Sequence, residues 1–170
     1  MRLALSALNT AKAIQGEIDA QVGPPEEGRR SGKEAVLPSS VTRGTRGYIE
    51  RVVNQINGCY ENGWYDASAV MIRRLIETLI IEAFEHYGLS AKIKNPSGDF
   101  FYLRDLIDSC LREATWNLGR GCRQALPKLK DIGDKSAHSR RFNAHRGDIE
   151  PLAADIRLVV QELVYLAALK

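Results

Sequence analysis

Asp66-Ala-Ser-Ala-Val70-Met-Ile-Arg-Arg74-Leu-Ile-Glu77-Thr-Leu-Ile-Ile-Glu82-Ala-Phe84-Glu-His-Tyr87 is the stretch whose reading decides the fold. Its apolar positions are Val70, Met71, Ile72, Leu75, Ile76, Leu79, Ile80, Ala83 and Phe84. They recur at three and four residues, the spacing that puts side chains on one side of a helix. The stripe is too wide for a helix with one dry face, so the spacing predicts a central helix packed on several sides. Asp66 opens it and Gly88 follows its end. Arg73 and Arg74 lie four and three residues before Glu77, the separations at which opposite charges meet on a helix surface.

Helical periods continue on both sides. A helix over 45–62 is expected, with Tyr48, Val52, Gln55, Ile56 and Cys59 aligned and Asn62-Gly63 as its stop. Pro96-Ser97-Gly98-Asp99 reads as a turn and N-cap for a helix over 100–114, with Leu103, Leu106, Ile107, Cys110 and Leu111 inward. The next helix carries Leu126, Leu129 and Ile132, and Pro127 is expected to interrupt it, since proline suits a first turn better than an interior. Gly133-Asp134 reads as a tight turn before a basic loop. Asp148 is expected to cap a last helix over 149–169, with Ile149, Leu152, Ala153, Ile156, Val160, Leu163, Val164 and Ala167 inward. Period-two alternation is absent, so the fold class is all-α. Residues 1–21 read as an amphipathic helix, with Leu3, Ala7, Ala11, Ile14 and Ile18 on one stripe. Residues 22–43, rich in Gly, Pro and charge, read as a linker, and 44–170 as the helical domain, its compact part starting near Val41.

Charge is unevenly placed. From Arg120 to Arg146 there are eight basic residues against Asp131 and Asp134 alone, a net +6 in a chain of net +3. The rest of the chain therefore sums to −3. A near-neutral body with one positive segment points to an anionic partner, most often nucleic acid. His138 lies in that segment and is the candidate for proton transfer. Its plainer role is to brace a loop between helices. His86 reads as a solvated residue near a helix end. Ser136 and Ser139 flank His138 without a nucleophile elbow around them.

Other chemistries find little in the chain. Cys59, Cys110 and Cys122 are far apart, form no Cys-x-x-Cys pair and read as small core residues of a reduced, cytoplasmic protein. The three histidines fall in no Asp/Glu/His cluster that would make up a ligand set, so no metal site and no cofactor are indicated. Gly28-Arg-Arg-Ser-Gly32-Lys33 has neither the spacing nor the following Ser or Thr of a phosphate loop. The apolar start of the chain breaks at Asn9-Thr10, so export is not expected, and no window suits a membrane span.

Two segments resemble the HEPN superfamily of helical domains. Tyr60-Glu-Asn-Gly-Trp64-Tyr-Asp-Ala-Ser-Ala-Val-Met71-Ile-Arg-Arg74-Leu-Ile-Glu77 is similar to the opening of its central helix. Leu129-Lys-Asp-Ile-Gly133-Asp134-Lys-Ser-Ala137-His138 is similar to the Gly-Asn-x-Ala-Ala-His turn of a bacterial subfamily of unknown function. The match spans 45–168. It implies a bundle of four or five helices, a homodimer that brings two histidine turns together, and a setting in bacterial conflict or defence. Active members are metal-independent endoribonucleases with an arginine, four to six residues, then a histidine. Arginine holds the phosphate and histidine moves a proton.

This chain departs from that signature. Gly133, Ile132 and Asp131 stand where the arginine before His138 belongs, and the nearest cation is Lys130. Arg140 or Arg141 is the alternative phosphate clamp, and Arg140 with His145 is an alternative motif of legal spacing. The leading expectation is thus a self-associating module that binds RNA, a nucleotide or an acidic partner. Lys130, Lys135, Arg140, Arg141 and Arg146 are its phosphate-binding residues, beside His138. The competing expectations are a ribonuclease with His138 as acid/base, and a purely structural scaffold whose N-terminal helix docks on a partner protein.

Overall fold

The computed structural model describes residues 35–170, so the helix expected near the start and most of the linker lie outside the described residues. The chain is an all-α bundle. Its helices are α1 (Gly47–Glu61), α2 (Tyr65–His86), α3 (Leu103–Arg112), α4 (Arg120–His138), the single turn α5 (Arg146–Ile149) and α6 (Ala153–Leu166). Short 3-10 turns precede α1, follow α2 and join α5 to α6. Among the described residues there is no strand, only one bridge between Lys94 and Phe100.

α2 is the axis of the bundle, as its wide stripe predicts. It packs against α1, α3, α4 and α6, and Ile72, Leu75, Ile76, Leu79, Ile80 and Phe84 are buried. Gly63 and Gly88 end α1 and α2 in the left-handed region, at φ +76° and +68°, where a side chain is disfavoured.

Several boundaries differ from expectation. The core begins before 44: Val36 and Leu37 are buried, and Asn57 clamps the Leu37 backbone with bonds of 2.8 and 3.1 Å. The inward stripe of α1 is Ile49, Val52, Val53, Ile56, Asn57 and Tyr60, one position round from the expected one. Tyr48 stays at the surface, where its hydroxyl bonds Glu82, which Arg46 also meets at 3.1 Å. Burial pushes the Glu82 carboxyl up, and Arg46 opposes that shift. α3 starts at Leu103 because the 95–99 turn closes on itself, with the Asp99 N–H donating to Asn95 Oδ1 at 2.9 Å.

The largest correction is α4. It runs unbroken through Pro127 and through Gly133-Asp134. Pro127 is exposed, so the carbonyl of Arg123 that loses its donor lies on the solvent side. The opposite face, with Cys122, Ala125, Leu126, Leu129, Ile132 and Gly133, is buried on both sides of the proline. Packing against α2 and α6 thus outweighs the local preference. Asp148 does not cap the last long helix. It lies in the turn of α5 and takes the His145 N–H at 2.8 Å, and α6 begins only at Ala153.

Candidate functional site

The junction of α1 and α2 builds one wall of a cleft. Gly63 reverses the chain, and Trp64 becomes the N-cap of α2. The Trp64 N–H donates to the Cys59 carbonyl at 2.8 Å, and its own carbonyl accepts from the Ser68 N–H at 2.9 Å. The backbone of Trp64 is therefore held at both ends, while the residue as a whole is 49% exposed. Tyr65 turns inward and packs edge-on against Tyr60, with ring centroids 5.5 Å apart. Asp66, in the first turn of α2, accepts the Ala144 N–H at 3.0 Å. A carboxylate there also suits the positive end of the helix.

That bond clasps the loop after α4 to the start of α2. Phe142 packs on the core and Ala144 is buried, which anchors the loop further. Between the two walls lies a cleft of about 540 Å³ lined by Gly63, Trp64, Tyr65, Asp66, Ala67, Asn143, Ala144 and His145. His145 caps α5, so it stands at a helix start rather than in open loop.

The expected phosphate-binding residues divide into two groups. Three are engaged with acids. Lys130 meets Asp134 at 2.5 Å, and Lys135 meets Asp131 at 2.8 Å. Arg146 holds Glu150 through two nitrogens at 3.0 and 3.1 Å. Asp134 is shared with Arg73, at 2.8 Å. Burial pushes the Asp134 carboxyl up, but Lys130 and Arg73 outweigh it and hold the group below its usual range. Arg73 also reaches Glu77 at 3.5 Å, the helix-surface pair expected, whereas Arg74 is exposed. Lys128 pairs with Asp155 at 3.2 Å.

The other group is Arg140 and Arg141. Both are exposed and neither makes an ion pair with the described residues. His138, the last residue of α4, is also exposed but is not a wall of the cleft. Arg120 and Arg123 belong to the far end of α4, Arg123 about 22 Å from His138 at the rise of a helix. The +6 segment is thus no continuous patch. Among the described residues four of its eight cations are paired with acids, Arg120 and Arg123 lie at the far end of α4, and Arg140 and Arg141 stand unpaired in the loop that leads to the cleft wall at Asn143.

Thiol and metal chemistry find no footing among the described residues. Burial pushes the Cys110 and Cys122 thiols up to about 12, so both stay protonated and unreactive near neutrality. Cys59 is only half-buried, contrary to expectation, and burial raises it as well. Among the described residues no three His, Cys, Asp or Glu side chains gather into a metal site, and no helix is long and apolar enough to cross a membrane.

Trp64 and Asn143 were not among the site residues expected from the sequence. The signal that could have found Trp64 is a large aromatic at an interhelical turn, outside both apolar stripes. No family model, curated protein or solved structure matches the chain.

Proposed function

We propose that this chain is a HEPN-like, self-associating helical module that binds RNA through the loop following α4. The observation that carries the reading is the contrast among its cations. Lys128, Lys130, Lys135 and Arg146 already face carboxylates, whereas Arg140 and Arg141 are exposed in the loop whose next residues, Asn143 to His145, line a cleft. Two adjacent guanidiniums are suited to phosphate oxygens, which they meet with paired hydrogen bonds. His138 supplies a third donor to the same end of α4.

The test is binding of labelled single-stranded RNA and transfer RNA to the full chain, in EDTA. Wild type is expected to bind both, and a variant with Arg140→Ala and Arg141→Ala to lose most of that affinity. Equal binding by the two proteins refutes the reading. Sedimentation of the same wild-type sample reports self-association.

One observation favours a second reading, metal-independent RNA cleavage. His145 lines the cleft at the start of a helix, and Arg141-Phe142-Asn143-Ala144 separates it from Arg140. An arginine that holds the scissile phosphate and a histidine that moves a proton are sufficient parts for such a reaction. Cleavage in EDTA that His145→Ala abolishes and His138→Ala spares supports this arrangement. Cleavage lost only in His138→Ala assigns the proton transfer to His138 instead.

A further inference from the structure

We infer that Trp64 is a stacking platform for an unpaired nucleobase, so that the cleft takes a base of single-stranded RNA while the phosphates lie on Arg140 and Arg141. This rests on the RNA-binding reading above and adds to it the part of the ligand that enters the cleft. Trp64 leaves 49% of its surface in water, on the order of 100 Å² for a side chain of this size. Tyr102 and Tyr165 are more exposed, but each has a hydroxyl to offer water. Among the described residues, Trp64 is the exposed large aromatic that lines this cleft.

The platform is preorganised. Bonds to Cys59 and Ser68 hold the Trp64 backbone, and Gly63 sets the turn before it. A stacked base therefore needs little rearrangement of the wall, which keeps the cost of ordering low.

The polar residues divide the cleft by chemistry. Asp66 carries a carboxylate on its wall, which repels phosphate and accepts hydrogen bonds from a base. Asn143 and His145 add groups that reach base edges. Arg140 and Arg141 lie three and two residues before Asn143, within about 10 Å along an extended chain. That is the scale of one nucleotide: base inside, phosphate at the rim. Bases paired in a duplex cannot present a face to Trp64, so the arrangement selects single strands.

The test compares three probes on the full chain: a labelled oligoadenylate, a strand of equal length with the same backbone but no bases, and an RNA duplex. Wild type is expected to bind the oligoadenylate about tenfold more tightly than the abasic strand, the worth of one stacked base. Trp64→Leu is expected to bring the oligoadenylate down to the abasic level, and Trp64→Phe to keep most of the difference. Circular dichroism checks that both variants retain the helical content of wild type. If wild type binds all three probes equally, or if a folded Trp64→Leu binds like wild type, the stacking role is wrong and the phosphate reading stands. If no probe binds, both fall together.

Discussion

Gly133 sits at a tight contact of α4 with α2. A Cβ built on it stands 2.6 Å from Arg73 Cβ and 3.2 Å from the Ala69 carbonyl oxygen, too near for either to yield easily. In the sequence, glycine beside aspartate reads as a turn. Its use here is close approach of two helices, which also brings Asp134 within reach of Arg73. Gly133→Ala gains about 1 kcal/mol of helix propensity but suffers overpacking of about 1–3 kcal/mol, so a net loss of up to about 2 kcal/mol is expected. Gly58, inside α1, has no atom within 4 Å of a built Cβ. Gly58→Ala is therefore expected to gain about 0.5–1 kcal/mol. Urea unfolding of both variants decides the matter. If Gly133→Ala raises the midpoint as Gly58→Ala is expected to, the close contact at Gly133 is not what shapes that interface.

α4 shows how far packing overrides local preference in one element. Its apolar face is legible from Leu126, Leu129 and Ile132, yet Pro127 argues for a break that does not occur. The proline lies on the exposed side, so its cost is one unpaired carbonyl facing water and not a buried one. Pro127→Ala restores that donor in a helix already held by its other face. A gain of about 1–3 kcal/mol is expected, up to the full difference between the two residues in a helix interior. Thermal or denaturant unfolding measures it. An unchanged or lowered stability means that the helix is adapted to the proline around Arg123. The end of the chain makes the complementary point. The apolar spacing over 149–169 is continuous, but the chain forms α5, a 3-10 turn and then α6. Spacing reports which residues face the core, and it does not report where the backbone changes pitch.

Across the whole molecule, charge behaves as the linear count does not suggest. Four of the eight cations between Arg120 and Arg146 are held by acids, two of those acids lying outside the segment at Glu150 and Asp155. If Arg140 and Arg141 alone meet phosphate, replacing both by Ala should lower the slope of log affinity against log salt by about 1.4 for single-stranded RNA, about 0.7 for each phosphate no longer neutralised. Lys130→Ala and Lys135→Ala should leave that slope unchanged. Binding measured across a salt series checks both expectations. A slope that falls equally in the lysine variants shows that the internal pairs open on binding and that the segment acts as one patch.

The helices, their inward faces and the central place of α2 were legible in the chain because three- and four-residue spacing acts locally. The charge excess and the candidate histidines were legible for the same reason, since composition is countable. The cleft was not. It depends on Asp66 meeting Ala144 across 78 residues, and the sorting of cations depends on pairs such as Arg73 with Asp134 across 61. Such pairings follow from how whole helices pack, and no local spacing encodes them. Packing decided that Pro127 stays inside a helix, that Gly133 is a point of helix contact and not a turn, and that Trp64 and His145 share one cleft with Arg140 and Arg141 close by in the chain.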